Sequence, residues 1–148
     1  MANEAEQQVW RDGVRVRRAD VLSTERAAQG RATVFDFAGT KALGGSDKTW
    51  ISGVNVAPGS NTGPHDHGRH EVMIYVVKGR SEIRWGAMLE YAAEIGPGDC
   101  VYFAPFVPHQ ERSLETTETV EYLVVRSDNE RIVNTRVEIA PVEKPTLV

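Results

Sequence analysis

The stretch that decides the fold is Gly59-Ser60-Asn61-Thr62-Gly63-Pro64-His65-Asp66-His67-Gly68-Arg69-His70-Glu71. It carries all but one of the chain's 4 histidines. In an extended backbone, residues i and i+2 project to the same side, so His65 and His67 point together. Gly68 and Arg69 allow a bend, and Glu71 opens the next strand. Two imidazoles and a carboxylate converging on one point suit a divalent first-row metal. Such a set leaves coordination positions open for a substrate or dioxygen. Both ligand types are in their binding forms near neutral pH.

A second stretch, Gly96-Pro97-Gly98-Asp99-Cys100-Val101-Tyr102-Phe103-Ala104-Pro105-Phe106-Val107-Pro108-His109, reads as a turn, a buried strand and a proline-constrained corner. Pro105 and Pro108 limit the backbone and fix the direction of His109, as a ligand position requires. The expected metal ligands are therefore His65, His67, Glu71 and His109. His70 faces away if Glu71 faces inward, and is read as a non-ligand. Tyr75 shares parity with Glu71 and Met73, so it either lines the cavity as a hydrogen-bond donor or fills the core. Glu71 and Tyr75 are the candidate catalytic groups. Alternation places Glu111 on the side of His109, as a partner outside the ligand set, and Arg112 in solvent. Cys100, between Asp99 and Val101-Tyr102-Phe103, is expected to be buried strand material.

Other site chemistries are missing their residues. His-Glu-x-x-His would need histidine at position 74, where Ile74 stands. A deaminase-type zinc site needs two cysteines, and the chain has Cys100 alone. There is no phosphate-cradling or dinucleotide-binding glycine fingerprint.

Between the turn signals at Gly44-Gly45, Pro58-Gly59, Gly63-Pro64, Lys78-Gly79, Gly96-Pro97-Gly98 and Ser127-Asp128-Asn129 lie short β-branched and aromatic runs. They are Thr33–Phe37, Trp50–Val56, Val72–Val77, Ser81–Trp85, Cys100–Phe103, Val120–Val125 and Ile132–Ile139. Turns recurring at roughly 8–12 residues predict an all-β sandwich or barrel. Alternation puts Ser81, Ile83 and Trp85 on one face, opposite Glu82 and Arg84. Val72–Val77 is apolar on both faces and reads as a strand covered on both sides. At most one short helix is expected, over Ser23–Gln29, with Ser23 as its cap and Gly30 as its stop.

A length of 148 residues fits one domain spanning 1–148, with peripheral arms at 1–13 and 141–148. With 41% hydrophobic residues and a net charge of −4, the composition is that of a folded chain, not a disordered one. Lys+Arg 17 against Asp+Glu 21 offers no basic surplus for nucleic acid. No apolar run is long enough for a membrane helix, and residues 1–8 lack the apolar stretch of a secretion signal. A lone cysteine suits a reducing cytoplasm.

The two histidine segments resemble the paired motifs of the cupin superfamily. Its first motif is Gly, five residues, His-x-His, three or four residues, Glu, about six residues, Gly. Here Gly59 precedes His65-Asp66-His67 by five residues, Glu71 follows after three, and Gly79 closes the motif after seven. That extra residue is either a bulge that leaves Glu71 aimed inward or a sign that it points elsewhere. The second motif matches Gly98-Asp99 through His109, with Ser113 for the usual asparagine, Ala104 for proline and Phe106 for glycine. The motifs span residues 59–113. The resemblance implies an antiparallel double-stranded β-helix barrel, or jelly roll, with one divalent metal inside, iron, manganese, nickel or zinc. It implies a homodimer, and a dioxygenase, decarboxylase, isomerase or lyase acting on a small organic molecule. The alternative is a binding or sensor module that holds a ligand without turnover.

Overall fold

The computed structural model describes residues 3–7, 13–14, 23–26, 32–38 and 46–148. Its strands, in chain order, are β1 (Ser23–Arg26), β2 (Ala32–Ala38), β3 (Trp50–Val56), β4 (His65–Asp66), β5 (Val72–Lys78) and β6 (Ser81–Trp85). They continue with β7 (Tyr91–Ile95), β8 (Cys100–Phe103), β9 (His109–Ser113), β10 (Val120–Arg126), β11 (Asn134–Thr135) and β12 (Thr146–Leu147). Among the described residues two six-stranded sheets result, ordered β1-β2-β3-β10-β5-β8 and β11-β4-β9-β6-β7-β12. All pairings are antiparallel except β12 on β7. The expected all-β jelly-roll barrel is the observed architecture.

The two-residue period of the strands builds the core between the sheets. Val72, Ile74 and Val76 on β5 and Val120, Tyr122 and Val124 on β10 are buried, and they meet Ile83 of β6 and Phe103 of β8. Trp50 and Val56 of β3 complete the cluster. Burying an aliphatic side chain of this size contributes about 1.5–3 kcal/mol. Arg126 caps this layer with its guanidinium 4.4 Å from the Trp50 ring centroid, a cation–π contact.

The β5–β6 hairpin turns at Gly79, whose φ of +77° lies in the left-handed region. A Cβ there would sit 3.1 Å from the Val120 backbone, so glycine is required on both counts.

Several sequence expectations are corrected. The helix expected over Ser23–Gln29 is not formed: Ser23–Arg26 is β1, in register with β2 from Ser23↔Asp36 to Arg26↔Thr33, and residues 27–29 lie outside the described residues. A sheet edge offers these residues ladder bonds that so short a helix cannot match. Residues 4–7 do form a helical turn, where Asn3 and Glu6 each accept the other's backbone N–H at 3.0 Å, a reciprocal cap. The segment 141–148, expected as a peripheral arm, runs along the exposed edge of the second sheet, where the Thr146 and Val148 amides donate to the Glu90 and Ala92 carbonyls at 2.7 and 3.0 Å. Strand β5 is covered on one face only, since Met73, Tyr75 and Val77 are exposed. Cys100 is exposed too. It begins edge strand β8, of which Phe103 alone is fully buried.

Candidate metal centre

His65 lies on the two-residue strand β4, which pairs with β9 through His65↔His109. His67 follows two residues later, and Gly68, with φ of +57°, turns the chain immediately after it. The turn packs tightly, since a Cβ on Gly68 would lie 3.2 Å from the Ile132 side chain. Asp66, between the two histidines, points the other way and locks the turn. Its Oδ1 accepts from the Gly68 amide at 2.7 Å and Asn134 Nδ2 at 2.8 Å, and its Oδ2 pairs with Arg136 Nε at 2.8 Å. Burial alone would raise the Asp66 pKa, but those bonds and Arg136 hold it below the ordinary range.

The three rings meet. Centroids of His65, His67 and His109 are 4.9, 4.4 and 5.1 Å apart in pairs, and each residue is buried. One nitrogen from each lies within 4.8 Å of the others. Each Nδ1 sits against a backbone carbonyl: His65 on Gly63 at 3.0 Å, His67 on Ile132 at 2.9 Å, His109 on Val107 at 2.8 Å. A carbonyl can only accept, so each Nδ1 carries a proton, and the Nε2 atom is the one left to offer a lone pair to a metal. Burial first, then Arg126 and the neighbouring rings, drives the His67 pKa far below its normal value. Burial and His65 lower that of His109 to about 4. These two rings are neutral across the physiological range. On one side Phe103 stacks on His109 at 4.0 Å.

Glu111 completes the surroundings. It stands two residues after His109 on the same face of β9 and is 7% exposed. Its Oε2 is 3.8 Å from His65 Nε2 and its Oε1 3.8 Å from His109 Nε2. Thr62 Oγ1 donates to Oε2 at 2.6 Å, and the Glu111 amide donates back to Thr62 Oγ1 at 3.1 Å. Burial would raise the Glu111 pKa, but His65, His109 and the Thr62 bond outweigh it and hold it low.

The structure brings together His65, His67 and His109 of the expected ligands, and leaves Glu71 out. Glu71 is exposed on the outer side, where its Oε1 accepts from Tyr102 Oη at 2.8 Å. Tyr75, with the same parity as expected, shares that outer face and is 45% exposed. Neither touches the histidine group. His70 is buried, with its Nε2 3.9 Å from Asp128 Oδ2, and belongs to a separate cluster with Asp128 and Glu130. Arg69 already satisfies both of those carboxylates, at 3.0 and 2.6 Å.

A family model described as a cupin domain matches residues 53–126, half of the chain. The chain belongs to the cupin family. None of the curated protein sequences matches it. Among solved structures this cupin is similar to the polyketide cyclase RemF of Streptomyces resistomycificus (22% identity, TM-score 0.69, 82% of this chain and 84% of that one). It is similar to a predicted oxalate decarboxylase of Thermotoga maritima (19% identity, TM-score 0.64, 77% and 99%). It also resembles Bacillus subtilis oxalate decarboxylase, a protein with Mn(II) centres (18% identity, TM-score 0.61), matching 75% of this chain but 28% of that one. At these identities the likeness is one of fold.

Membership explains the misplaced carboxylate. Counting six residues back from Gly79 rather than three forward from His67 lands on Val72, not Glu71. Val72 is the buried residue, paired with Phe103 across β5 and β8. A slip of one residue exchanges the faces of a strand. Phe106, where the family pattern has glycine, adopts φ of +63° and is 65% exposed, and its amide donates to the Gly68 carbonyl at 2.7 Å. The backbone keeps the glycine-like conformation although the residue has changed.

Proposed function

We propose that this cupin is an enzyme that uses one divalent metal, iron, manganese, nickel or zinc, held by His65, His67 and His109, to act on a small organic molecule. The observation that carries this reading is the orientation of the three buried rings. Each Nδ1–H is spent on a backbone carbonyl, so the Nε2 lone pairs converge with no protein donor aimed at them from the rings themselves. His109 Nε2 is fully buried without a hydrogen-bond partner. Such an acceptor is costly to leave unmatched, and a cation matches it. When bound, the metal supplies Lewis acidity or dioxygen activation.

The chain's own residues do the rest. The backbone carbonyls of Gly63, Val107 and Ile132 fix ring direction and tautomer. Phe103 shields one face of His109 from water. A gap of about 460 Å³ between β7 and β8, lined by Ile83, Trp85, Ile95, Val101 and Phe103 among others, does not include the three histidines in its lining but adjoins them through Phe103, which stacks on His109, and it is the space we assign to a mainly apolar substrate. That volume lies in the range of small-molecule sites. Among the described residues no helix is long and apolar enough to cross a membrane, and the proposed setting is the cytoplasm. The exposed Met73, Tyr75, Val77 and Tyr102 on one sheet face support a homodimer, which light scattering tests.

The metal-loaded protein should turn over at least one member of a panel of keto, hydroxy and phenolic acids, with oxygen uptake followed in parallel. Binding without turnover across the panel would favour a ligand-holding module instead.

A further inference from the structure

We infer that Glu111 supplies the anionic ligand of the metal centre from β9, replacing the carboxylate that the family motif places on β5. The inference rests on the metal reading above and adds a ligand to it. On β5 the inward position facing Phe103 is Val72, an alkyl group that cannot ligate, while Glu71 is turned outward to Tyr102. A carboxylate is nonetheless buried in the barrel beside the histidines, and it comes from the neighbouring motif.

The argument is one of unmatched acceptors. Glu111 Oε2 and Oε1 face the Nε2 atoms of His65 and His109 across 3.8 Å. Both Nδ1–H groups are spent on backbone carbonyls, so it is the Nε2 atoms that face the carboxylate. At 3.8 Å neither nitrogen is within hydrogen-bond distance of the carboxylate. Thr62 Oγ1 is a donor to Glu111 and holds Oε2 in place at 2.6 Å, but it does nothing for the nitrogens. The three histidine nitrogens lie within 4.8 Å of one another and Glu111 stands just outside that grouping, so a cation held by them takes the carboxylate as a ligand once its side chain closes part of the 3.8 Å gap. Imidazole with one carboxylate suits first-row divalent ions, and the carboxylate lowers the net charge of the loaded site from +2 to +1. Thr62 is then a positioning residue that acts through Glu111.

The test titrates Mn(II) and Co(II) into the full chain and into Glu111→Gln, Glu71→Gln and His109→Ala, with the Co(II) visible spectrum recorded for each. We expect wild type and Glu71→Gln to bind alike. Glu111→Gln should weaken binding by more than the ~10–100-fold that an outer partner costs, with a changed Co(II) spectrum. If Glu111→Gln does not fold, Glu111→Asp, which keeps the charge and shortens the reach, should show the same altered spectrum. Wild-type affinity and spectrum in Glu111→Gln would overturn the inference and leave the three-histidine centre standing. Loss of binding in Glu71→Gln instead would overturn it too. No binding by the wild type would remove the metal reading itself.

Discussion

Acidifying the metal-free protein should destabilise it from about pH 6.5 downward, before most of its carboxylates begin to titrate. His109 has a pKa of about 4 in the folded chain against 6.5 for an ordinary histidine. Between those values the unfolded chain takes up a proton that the folded chain refuses. The folded state then binds fewer protons, so its stability falls as pH falls through this window and is intact above it. The gap is worth roughly 3 kcal/mol. His67, whose pKa burial depresses further, acts in the same direction. Domains of this size have about 5–15 kcal/mol in all, so the two rings account for a large share. The assay is urea denaturation in a chelator at several pH values between 7 and about 4.5, comparing wild type with His109→Gln. The wild-type midpoint should fall steeply over this range and the variant's less so. A flat wild-type profile, or identical slopes in the two proteins, would refute the account of the buried neutral rings.

Other perturbations test the frame around the site. Gly79→Ala places a Cβ 3.1 Å from the Val120 backbone at φ of +77°, and thermal denaturation should show a loss of about 1–3 kcal/mol. Phe106→Gly replaces an exposed side chain at φ of +63°. It should be neutral or stabilising by up to ~1 kcal/mol, and a clear loss would mean that the ring packs against something. Ile83→Ala removes a 1%-exposed core side chain and should cost about 2–5 kcal/mol in chemical denaturation.

The strands that carry the core were legible because apolar alternation and turn residues agreed. Trp50–Val56, Ser81–Trp85 and Cys100–Phe103 have the same limits in sequence and structure. Strand β9 escaped for the reason that makes it interesting. Its inward residues, His109, Glu111 and Ser113, keep the period of two but are polar, so hydropathy is silent where the sheet faces the site. Strand β4 is two residues long and set by its partner. The histidines were readable from spacing and their clustering in three dimensions follows it. The carboxylate was misread because a motif with an elastic gap can be anchored at either end, and a one-residue choice selects the opposite face. Alternation had already put Glu111 beside His109; what it lacked was knowledge that Val72 faces inward. Cys100 and the outer face of β5 were read as covered because composition reports apolarity, not what lies over it.

The central claim is that His65, His67 and His109 hold one divalent ion, and elemental analysis tests it most directly. The protein is purified without chelator, exposed to a first-row divalent metal and desalted. It is then compared with His65→Ala, His67→Ala and His109→Ala variants shown by circular dichroism to be folded. The account predicts close to one equivalent of metal per wild-type chain and a large loss in every variant. A wild-type chain that retains no metal, or folded variants that retain it fully, would contradict it.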